Sequence, residues 1–361
     1  MKHRLAAAAL AILSLTSGVP AAGAAERPSA IRIGVAGTGT GGRPVTGGSY
    51  VSFAADAGAL EAEFKKDGIP VRYTYFSGAG PAVNEALANG QLDFAYQGDL
   101  PALVAKAGGL PTKLILAVNR YSAIYVGVPS DSPAKSLEDL KGKRIAVFKG
   151  TNLQLAFWNV LAAKGLKESD FKIINMSTFD GNAALLSKDV DAQVSGNDLF
   201  PLVDRGVARI VHSTKGDAKL GRLSHVLVTE DFAKRFPGHT QRLVNVLLGF
   251  ARWGSDEGNR ARSYQIWTKS GLSLPAWRSE YDGESIALRN SPLFDDFYRA
   301  QYKRLLKAGR DLRLVRRDFD VDAWLDPTFL DRGLATLGLV GFWPEQDADG
   351  RQKPGSAVGK R

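Results

Sequence analysis

Short apolar segments rich in β-branched and aromatic residues alternate with longer segments of helical periodicity between residues 31 and 229. The short segments predict β-strands, at residues 31–36, 71–76, 91–96, 114–118, 124–128, 144–148, 171–175, 192–195 and 223–229. Helices are predicted between them, among them 49–66, 81–89 and 153–163. This alternation is typical of open α/β sheets, whose ligands bind at the carboxyl ends of the strands.

The pattern occurs twice along the chain. A shift of 98 residues places Asn182 on Asn84, and it places the Gly-Asn pair at 196–197 on the Gly-Asp pair at 98–99. Because a repeated supersecondary unit indicates repeated structure, we predict two βα lobes of one design. Their loops are expected to point at a shared place.

Lobe 1 is predicted to contain two separate stretches of chain, and lobe 2 a single one. A turn-rich stretch at 129–133 separates them, so lobe 1 should contain residues 30–128 and 223–345, and lobe 2 residues 129–222. The chain beyond Phe236 is predicted to be mostly helical, with its large aromatic residues, Trp277 among them, packed in the core rather than around a ligand. The tail at 346–361, rich in Gly, Lys and Arg, is predicted to be disordered.

Residues 1–24 have the features of a cleaved signal peptide. Lys2, His3 and Arg4 precede an apolar run at 5–15 that is too short to span a bilayer, and small residues at 22–24 suit a cleavage site. A membrane anchor is the alternative, which this length disfavours. We therefore expect a soluble protein exported to the periplasm, with no lipid anchor because the chain contains no cysteine.

Composition narrows the chemistry further. The chain carries 47 Lys and Arg against 37 Asp and Glu, a positive balance that favours anionic ligands, although it also serves solubility alone. The dispersed basic residues argue against binding of nucleic acid. With no cysteine, and with His212, His225 and His239 at no metal-ligand spacing, neither a thiolate nor a metal site is expected. We expect no cofactor.

The loop at 77–80, Ser-Gly-Ala-Gly, joins a predicted strand to a helix that Pro81 helps to begin. Small residues at a helix N-terminus leave backbone N–H groups free to meet an anion, although a tight turn alone would look the same. The loop at 37–42 fits the spacing of a dinucleotide-binding fingerprint, but no helix opens at once and strand 71–76 lacks the carboxylate that a ribose needs.

Several motifs together carry a resemblance that spans roughly residues 31–341. Ser-Gly-Ala-Gly-Pro at 77–81, Asn-Gly-Gln-Leu-Asp-Phe at 89–94 and Gln-Gly-Asp-Leu-Pro at 97–101 resemble the solute-binding proteins of ABC importers for aliphatic sulfonates, taurine and nitrate. Residues 136–150 and 321–330 are similar to the same family. The chain departs from the family's pattern at three places. The family often has Thr where Gln97 stands, and it often has an aromatic-Asp-Pro run where residues 196–201 stand. The long glycine loop at 37–48 is also unusual for the family.

The resemblance implies a two-lobed periplasmic binding protein fold of type II: two open α/β sheets, a ligand cleft between them and a helical C-terminal part. It also implies a monomer that captures a small anion or zwitterion, closes on it and delivers it to permease subunits. The two helix N-termini at 78–80 and 150–152 are expected to hold an oxyanion from opposite lobes. The expected ligand-binding residues are Thr38, Gly39, Ser49, Tyr50, Gly78, Ala79, Gly80, Gln97, Asp99, Tyr121, Gly150, Thr151, Asn152, Asn197 and Asp198.

Some roles stay open at this point. Asp99 and Asp198 could instead cap loops, and Tyr121 could fill the hinge rather than cover the ligand. Two aspartates in one cleft suit an amine-bearing sulfonate better than a plain dianion. A binder of a neutral or cationic heterocycle, resembling the thiamine-precursor binders, is one alternative function. A two-lobed periplasmic enzyme is the other, although no nucleophile motif such as G-x-S-x-G is present, so we expect no enzyme.

Overall fold

A computed structural model describes residues 26–355. The predicted signal peptide and the end of the predicted tail, 356–361, lie outside this range. Within the described range ten strands form two sheets: β1 Ile31–Val35, β2 Val71–Tyr75, β3 Phe94–Gly98, β4 Thr112–Ala117, β5 Tyr125–Pro129, β6 Arg144–Val147, β7 Lys172–Asn175, β8 Ala192–Ser195, β9 Ala208–Ser213 and β10 Ser224–Thr229. The predicted α/β class and the two-lobed architecture are confirmed.

The helices are α1 Tyr50–Asp56, α2 Ala59–Lys65, α3 Ala79–Ala88, α4 Asp99–Ala107, α5 Asn152–Ala163, α6 Thr178–Leu186, α7 Phe200–Asp204, α8 Glu230–Arg235, α9 Pro237–Gly254, α10 Arg260–Trp267, α11 Leu274–Tyr281, α12 Ile286–Arg289, α13 Asp296–Asp311, α14 Val321–Trp324 and α15 Thr328–Thr336. The helix predicted at 49–66 is two helices, because Gly58 adopts a left-handed conformation (φ 58°) between them. Among the described residues, no helix combines the length and apolarity that a bilayer span requires.

The two sheets have the same topology. The first runs β2-β1-β3-β10-β4 and the second β7-β6-β8-β5-β9. In each, three parallel strands are followed by one antiparallel strand, β10 or β5, which pairs with neighbours on both sides. The predicted internal repeat thus corresponds to repeated structure. Asn84 and Asn182 make equivalent hydrogen bonds. The side-chain amide of Asn84 donates to the carbonyl of Pro101 after β3, and that of Asn182 donates to the carbonyl of Asp198 after β8.

Two expectations about the lobes are corrected. Strand β5 was assigned to lobe 1, but it pairs with β8 and β9 of the second sheet, because the chain crosses between lobes before Tyr125 rather than after Pro129. The tail was predicted to be disordered from Gln346, yet Gln346 is buried, and its N–H donates to Asp295. Its side-chain amide donates to the carbonyl of Gly350. The described part of the tail is therefore tied to lobe 1.

Candidate functional site

A cavity of about 670 Å³ lies between the two lobes. Its walls come from loops at the carboxyl ends of strands in both sheets, as expected for open α/β sheets. Lobe 1 supplies the loop after β1, the start of α3 and the end of β3, and lobe 2 supplies the starts of α5 and α6 and the turn after β8. The predicted residues that line it are Thr38, Gly39, Gly78, Ala79, Gly80, Gln97, Thr151, Asn152, Asn197 and Asp198.

The start of α3 is built by close packing. Ala79 has a positive φ of 52°, which bends the chain from β2 into the helix. A Cβ at Gly80 would come within 2.2 Å of Pro101 Cγ on α4, so only glycine lets α3 approach α4 this closely. The Gln97 side chain lies on the same wall, where its amide donates to Asn84 (3.1 Å) and its buried Oε1 has no partner within the described chain.

The lobes touch at the edge of the cavity. A Cβ at Gly98 of lobe 1 would lie 2.4 Å from Asn152 Nδ2 of lobe 2 and 3.0 Å from Asn152 Cβ. A Cβ at Gly150 would lie 2.9 Å from Pro81 Cγ across the same boundary. The starts of α4 and α5 therefore pack directly against each other, and side-chain size at these glycines limits how closely the lobes approach.

Arg222, which the sequence analysis missed, is a half-buried cation in the cavity wall. It lies on the crossover into β10, where its Nη2 donates to the carbonyl of Ala123 (2.8 Å) and its Nη1 to Asn152 Oδ1 (3.4 Å). Within residues 26–355 it forms no ion pair within 4.0 Å, and its buried Nε has no partner, although its charge lowers the pKa of the Asp198 and Asp99 carboxyls against the effect of burial. The only signal available in the sequence was a basic residue beside a predicted crossover strand.

Arg289 also lines the cavity, but its charge is neutralised. Its guanidinium forms ion pairs with Glu280 (2.8 Å) and Glu284 (2.7 Å) and donates to the carbonyl of Tyr121 (2.9 Å). Glu280 in turn accepts from the hydroxyl of Tyr125 in lobe 2 (2.7 Å). This cluster joins the C-terminal helices to the crossover and to lobe 2. No local motif marks it, since its members come from α11, α12 and the region before β5.

Ser49, Tyr50 and Gly150 do not line the cavity, which corrects three predictions. Ser49 is buried and caps α1 by accepting from the N–H of Ser52. The ring of Tyr50 is fully buried, and its hydroxyl donates to the carbonyl of Ala117. The N–H of Gly150, expected to meet an oxyanion, instead donates to Gln154 Oε1 (2.7 Å). Of the predicted oxyanion-binding stretch at 150–152, Thr151 and Asn152 line the cavity.

Asp99 and Tyr121 also lie outside the lining. The carboxylate of Asp99 accepts from the N–H groups of Leu223 (2.8 Å) and Leu100 (2.6 Å), which is the capping alternative. Burial raises the pKa of Asp99 to about 6, against the opposing effect of these hydrogen bonds. Tyr121 lies in the hinge at a positive φ of 62°, with its hydroxyl bonded to Gln346 and its ring against Phe297.

Aromatic side chains form more of the wall than expected. Trp277, predicted to be core packing, is 4% exposed but also lines the cavity, as do Tyr96, Tyr281, Phe148 and Phe179. Within the described chain, the acidic residues that line the cavity are Asp180, Asp198 and Glu280, and burial raises the pKa of the Asp198 carboxyl. Across residues 26–355 no group of three His, Cys, Asp or Glu could hold a metal ion.

Comparison with known proteins identifies relatives of this chain in sequence and in fold. A family model described as "NMT1/THI5 like" matches residues 63–215. A protein from Methylobacillus flagellatus KT, provisionally named the periplasmic sulfonate-binding protein SsuA of a sulfonate ABC transporter, is 34% identical, over 88% of this chain and 97% of that chain, with a TM-score of 0.75. The alkanesulfonate-binding protein SsuA from Xanthomonas axonopodis pv. citri, bound to MOPS, is 26% identical, over 84% and 100%, with a TM-score of 0.67.

A Bacillus subtilis (strain 168) protein, provisionally named an aliphatic sulfonates-binding protein, is 27% identical over 289 residues, which are 79% of this chain and 85% of that protein. The desulfurization enzyme DSZB is similar in fold alone, at 19% identity over 85% and 99%, with a TM-score of 0.64. The 34% identity to the Methylobacillus flagellatus KT protein, over 88% of this chain and 97% of that chain, shows the family. The chain belongs to the family of periplasmic sulfonate-binding proteins of ABC transporters, as its motifs predicted.

Proposed function

We propose that this protein is the periplasmic binding component of an ABC importer and that it captures a small organic sulfonate in the cavity between its lobes. The observation that carries this proposal is Arg222, a cavity-lining guanidinium that forms no ion pair within 4.0 Å in the described chain and whose hydrogen bonds there go to neutral groups. Asp198 and Asp99 act on this half-buried guanidinium electrostatically without a direct ion pair, so its charge is incompletely compensated, and a bound anion would complete the compensation. The sulfonate relatives point to the same chemistry.

The surroundings of Arg222 favour an oxyanion. Its Nη1 contacts Asn152, the first residue of α5, so the guanidinium lies beside the positive end of that helix dipole. The first residues of α3 line the same cavity from lobe 1. A sulfonate presents three oxygens, and it would accept from a guanidinium and from backbone N–H groups together.

The carboxyl of Asp198 refines the choice among anions. It accounts for only one of the two acidic groups expected in the cleft, since Asp99 is committed to capping. Burial raises the pKa of this carboxyl, and the charge of Arg222 acts in the opposite direction. We infer that plain alkanesulfonates are accepted, and that an amine-bearing sulfonate such as taurine would place its ammonium at Asp198. Nitrate offers no group for this carboxyl.

The test is calorimetric titration with alkanesulfonates, taurine and nitrate, followed by substitution of Arg222. Arg222→Gln should weaken sulfonate binding by about 10- to 100-fold, because a hydrogen bond to a charged group contributes roughly 1.5–3 kcal/mol. The sulfonate affinity of Arg222→Lys should lie between those of the unaltered protein and Arg222→Gln, since lysine keeps the positive charge but loses the paired N–H donors of the guanidinium. The exposed Arg262→Gln, which changes the net charge equally, is the control. Unchanged affinity in Arg222→Gln would contradict the proposal.

A binder of a neutral or cationic heterocycle is the second candidate, because several aromatic side chains line the cavity. The positive charge of Arg222 in the cavity wall argues against a cation. Including thiamine precursors and simple amines in the titration separates the two, because such ligands should bind as well or better after Arg222→Gln. An enzyme of this fold would convert its ligand, whereas a binding protein would not. Mass spectrometry of an equilibrated mixture should therefore recover the sulfonate unchanged.

We also propose that the protein acts as a monomer, that residues 1–24 are removed on export, and that permease subunits receive its ligand. The features of residues 1–24 and the periplasmic relatives support this. N-terminal sequencing of exported protein should begin near Ala25, and finding Met1 would contradict export by cleavage.

A further inference from the structure

Phe179 is an aromatic residue of lobe 2 that does not take part in the core. It is the second residue of α6, its side chain is half-buried, and it lines the cavity. It belongs to neither of the two buried clusters and makes no ring contact with another aromatic residue among those described. Since α6 buries Gly181, Ala184 and Leu185 instead, the phenyl ring of Phe179 is not needed to hold the helix.

Trp277 is an aromatic residue of the opposite wall that is held rigidly. Its indole packs against Trp267, with ring centroids 5.2 Å apart, and against the backbone of Gly47 and Gly48. A Cβ at Gly47 would lie 2.5 Å from Trp277 Cζ2, so the absence of a side chain there is what lets the ring occupy this position. The buried indole Nε1 has no hydrogen-bond partner in the described chain. Trp277 therefore forms a fixed surface on the C-terminal side of lobe 1.

The cavity is large for the ligand that Arg222 alone would require. Its volume of about 670 Å³ falls in the range of sites that enclose drug-sized molecules, roughly 300–1,000 Å³. A sulfonate with one or two carbons would leave most of it to water. A ligand with a larger apolar body would instead cover the aromatic surfaces that both lobes present.

We propose that Phe179 and Trp277 are specificity-determining residues that bind the apolar body of an organic sulfonate, a ring or an alkyl chain of comparable size. This inference rests on the proposed function, since it takes the head group to lie at Arg222. Aromatic faces suit this role because they offer a large contact area and pack well against both rings and methylene chains. Phe179 lies at the start of α6 and Trp277 on α11, so two separate parts of the chain present aromatic faces to one cavity.

The experiment compares methanesulfonate, butanesulfonate, octanesulfonate and benzenesulfonate by calorimetry. The unaltered protein should bind octanesulfonate and benzenesulfonate at least about tenfold more tightly than methanesulfonate, since each buried methylene strengthens binding. Phe179→Ala should weaken binding of the two larger ligands about tenfold and leave methanesulfonate within about twofold. Leu186→Ala, an exposed apolar residue at the end of the same helix and outside the cavity, should change neither.

A second pair of variants tests Trp277 without relying on Phe179. Trp277→Phe should lower affinity for the larger sulfonates, whereas Trp267→Phe should not, although the indole Nε1 of Trp267 is likewise buried and has no partner among residues 26–355. Thermal unfolding of each variant shows whether its fold is kept. Equal affinity of the unaltered protein for all four sulfonates would overturn this inference and leave the proposed function standing. No sulfonate binding at all would overturn both.

Discussion

Individual residues show how far the two lobes share one design. In lobe 1 the backbone N–H of Arg32 donates to Asp93 (2.8 Å) and its guanidinium pairs with the same carboxylate. In lobe 2 Arg144 and Asp191 repeat both contacts, again with an N–H donor at 2.8 Å. These aspartates therefore hold the ends of equivalent strands and have no part in the site.

Asp99 gives a prediction at this scale, because burial raises its pKa to about 6 from an ordinary value near 3.8. Below about pH 3.8 both the folded and the unfolded chain hold the proton. As pH rises towards 6 the unfolded chain loses its proton first, so Asp99 lowers the free energy of unfolding, by up to about 3 kcal/mol.

Asp99→Asn cannot titrate, so the unfolding free energy of this variant minus that of the unaltered protein should increase between about pH 4 and pH 6.5. Urea unfolding of both proteins across this range measures the difference, in which other titrating groups cancel. A difference that stays constant with pH would contradict the shifted pKa.

Secondary-structure elements were largely predictable, because hydrophobic periodicity and turn residues act over short stretches of chain. The starts of α3 and α5 were placed correctly near the cavity from Gly78–Gly80 and Thr151–Asn152. Strand β9 was not predicted, and β5 was given the wrong sheet, because periodicity does not reveal which strands pair. Arg222 was missed for a related reason, since the residues around it come together only in the folded chain.

The contact between α4 and α5 gives a prediction at the scale of elements. Gly98→Ala adds a methyl group at an unstrained backbone conformation (φ −84°, ψ 172°). That methyl group would clash with the side-chain amide of Asn152. Even if this amide moved away, the methyl group would still lie 3.0 Å from Asn152 Cβ. The lobes should therefore be held apart, which should weaken ligand binding by about tenfold and increase the radius of gyration of the liganded protein.

Solution scattering and calorimetry measure the two effects of Gly98→Ala. Gly249→Ala, on α9 with nothing within 4 Å of the added methyl group, is the matched control and should behave like the unaltered protein. Closure of the Gly98→Ala protein to the same radius of gyration would show that this contact does not limit the approach of the lobes.

At the scale of the molecule, the cluster around Glu280 couples the lobes. Its buried carboxylate accepts from Arg289 of lobe 1 and from the hydroxyl of Tyr125 in β5. The N–H of Ala123, in the crossover between lobes, also donates to it (3.3 Å). One carboxylate thus contacts both lobes and the hinge, and changes in this cluster should alter their relative motion.

Tyr125→Phe removes only the donor from lobe 2. It should lower the free energy of unfolding by roughly 1.5–3 kcal/mol, because the lost hydrogen bond goes to a charged acceptor. It should also increase hydrogen exchange of the crossover amides near 118–124. Tyr73→Phe removes a buried hydroxyl that has no partner in the described chain, so it should change neither quantity. Equal behaviour of the two variants would rule out coupling through Glu280.

The strand order of the two sheets has a consequence for the order in which the chain becomes foldable. All strands of the second sheet lie in one stretch, from Tyr125 to Ser213, whereas the first sheet has β10 between β3 and β4. A chain that is synthesised from its N-terminus can therefore complete the sheet of lobe 2 before the sheet of lobe 1. Until Ser224–Thr229 appears, β3 and β4 keep unpaired edges, which are sites for aggregation. The N-terminal lobe thus depends on chain made much later, and premature termination before β10 should leave it unable to close its sheet.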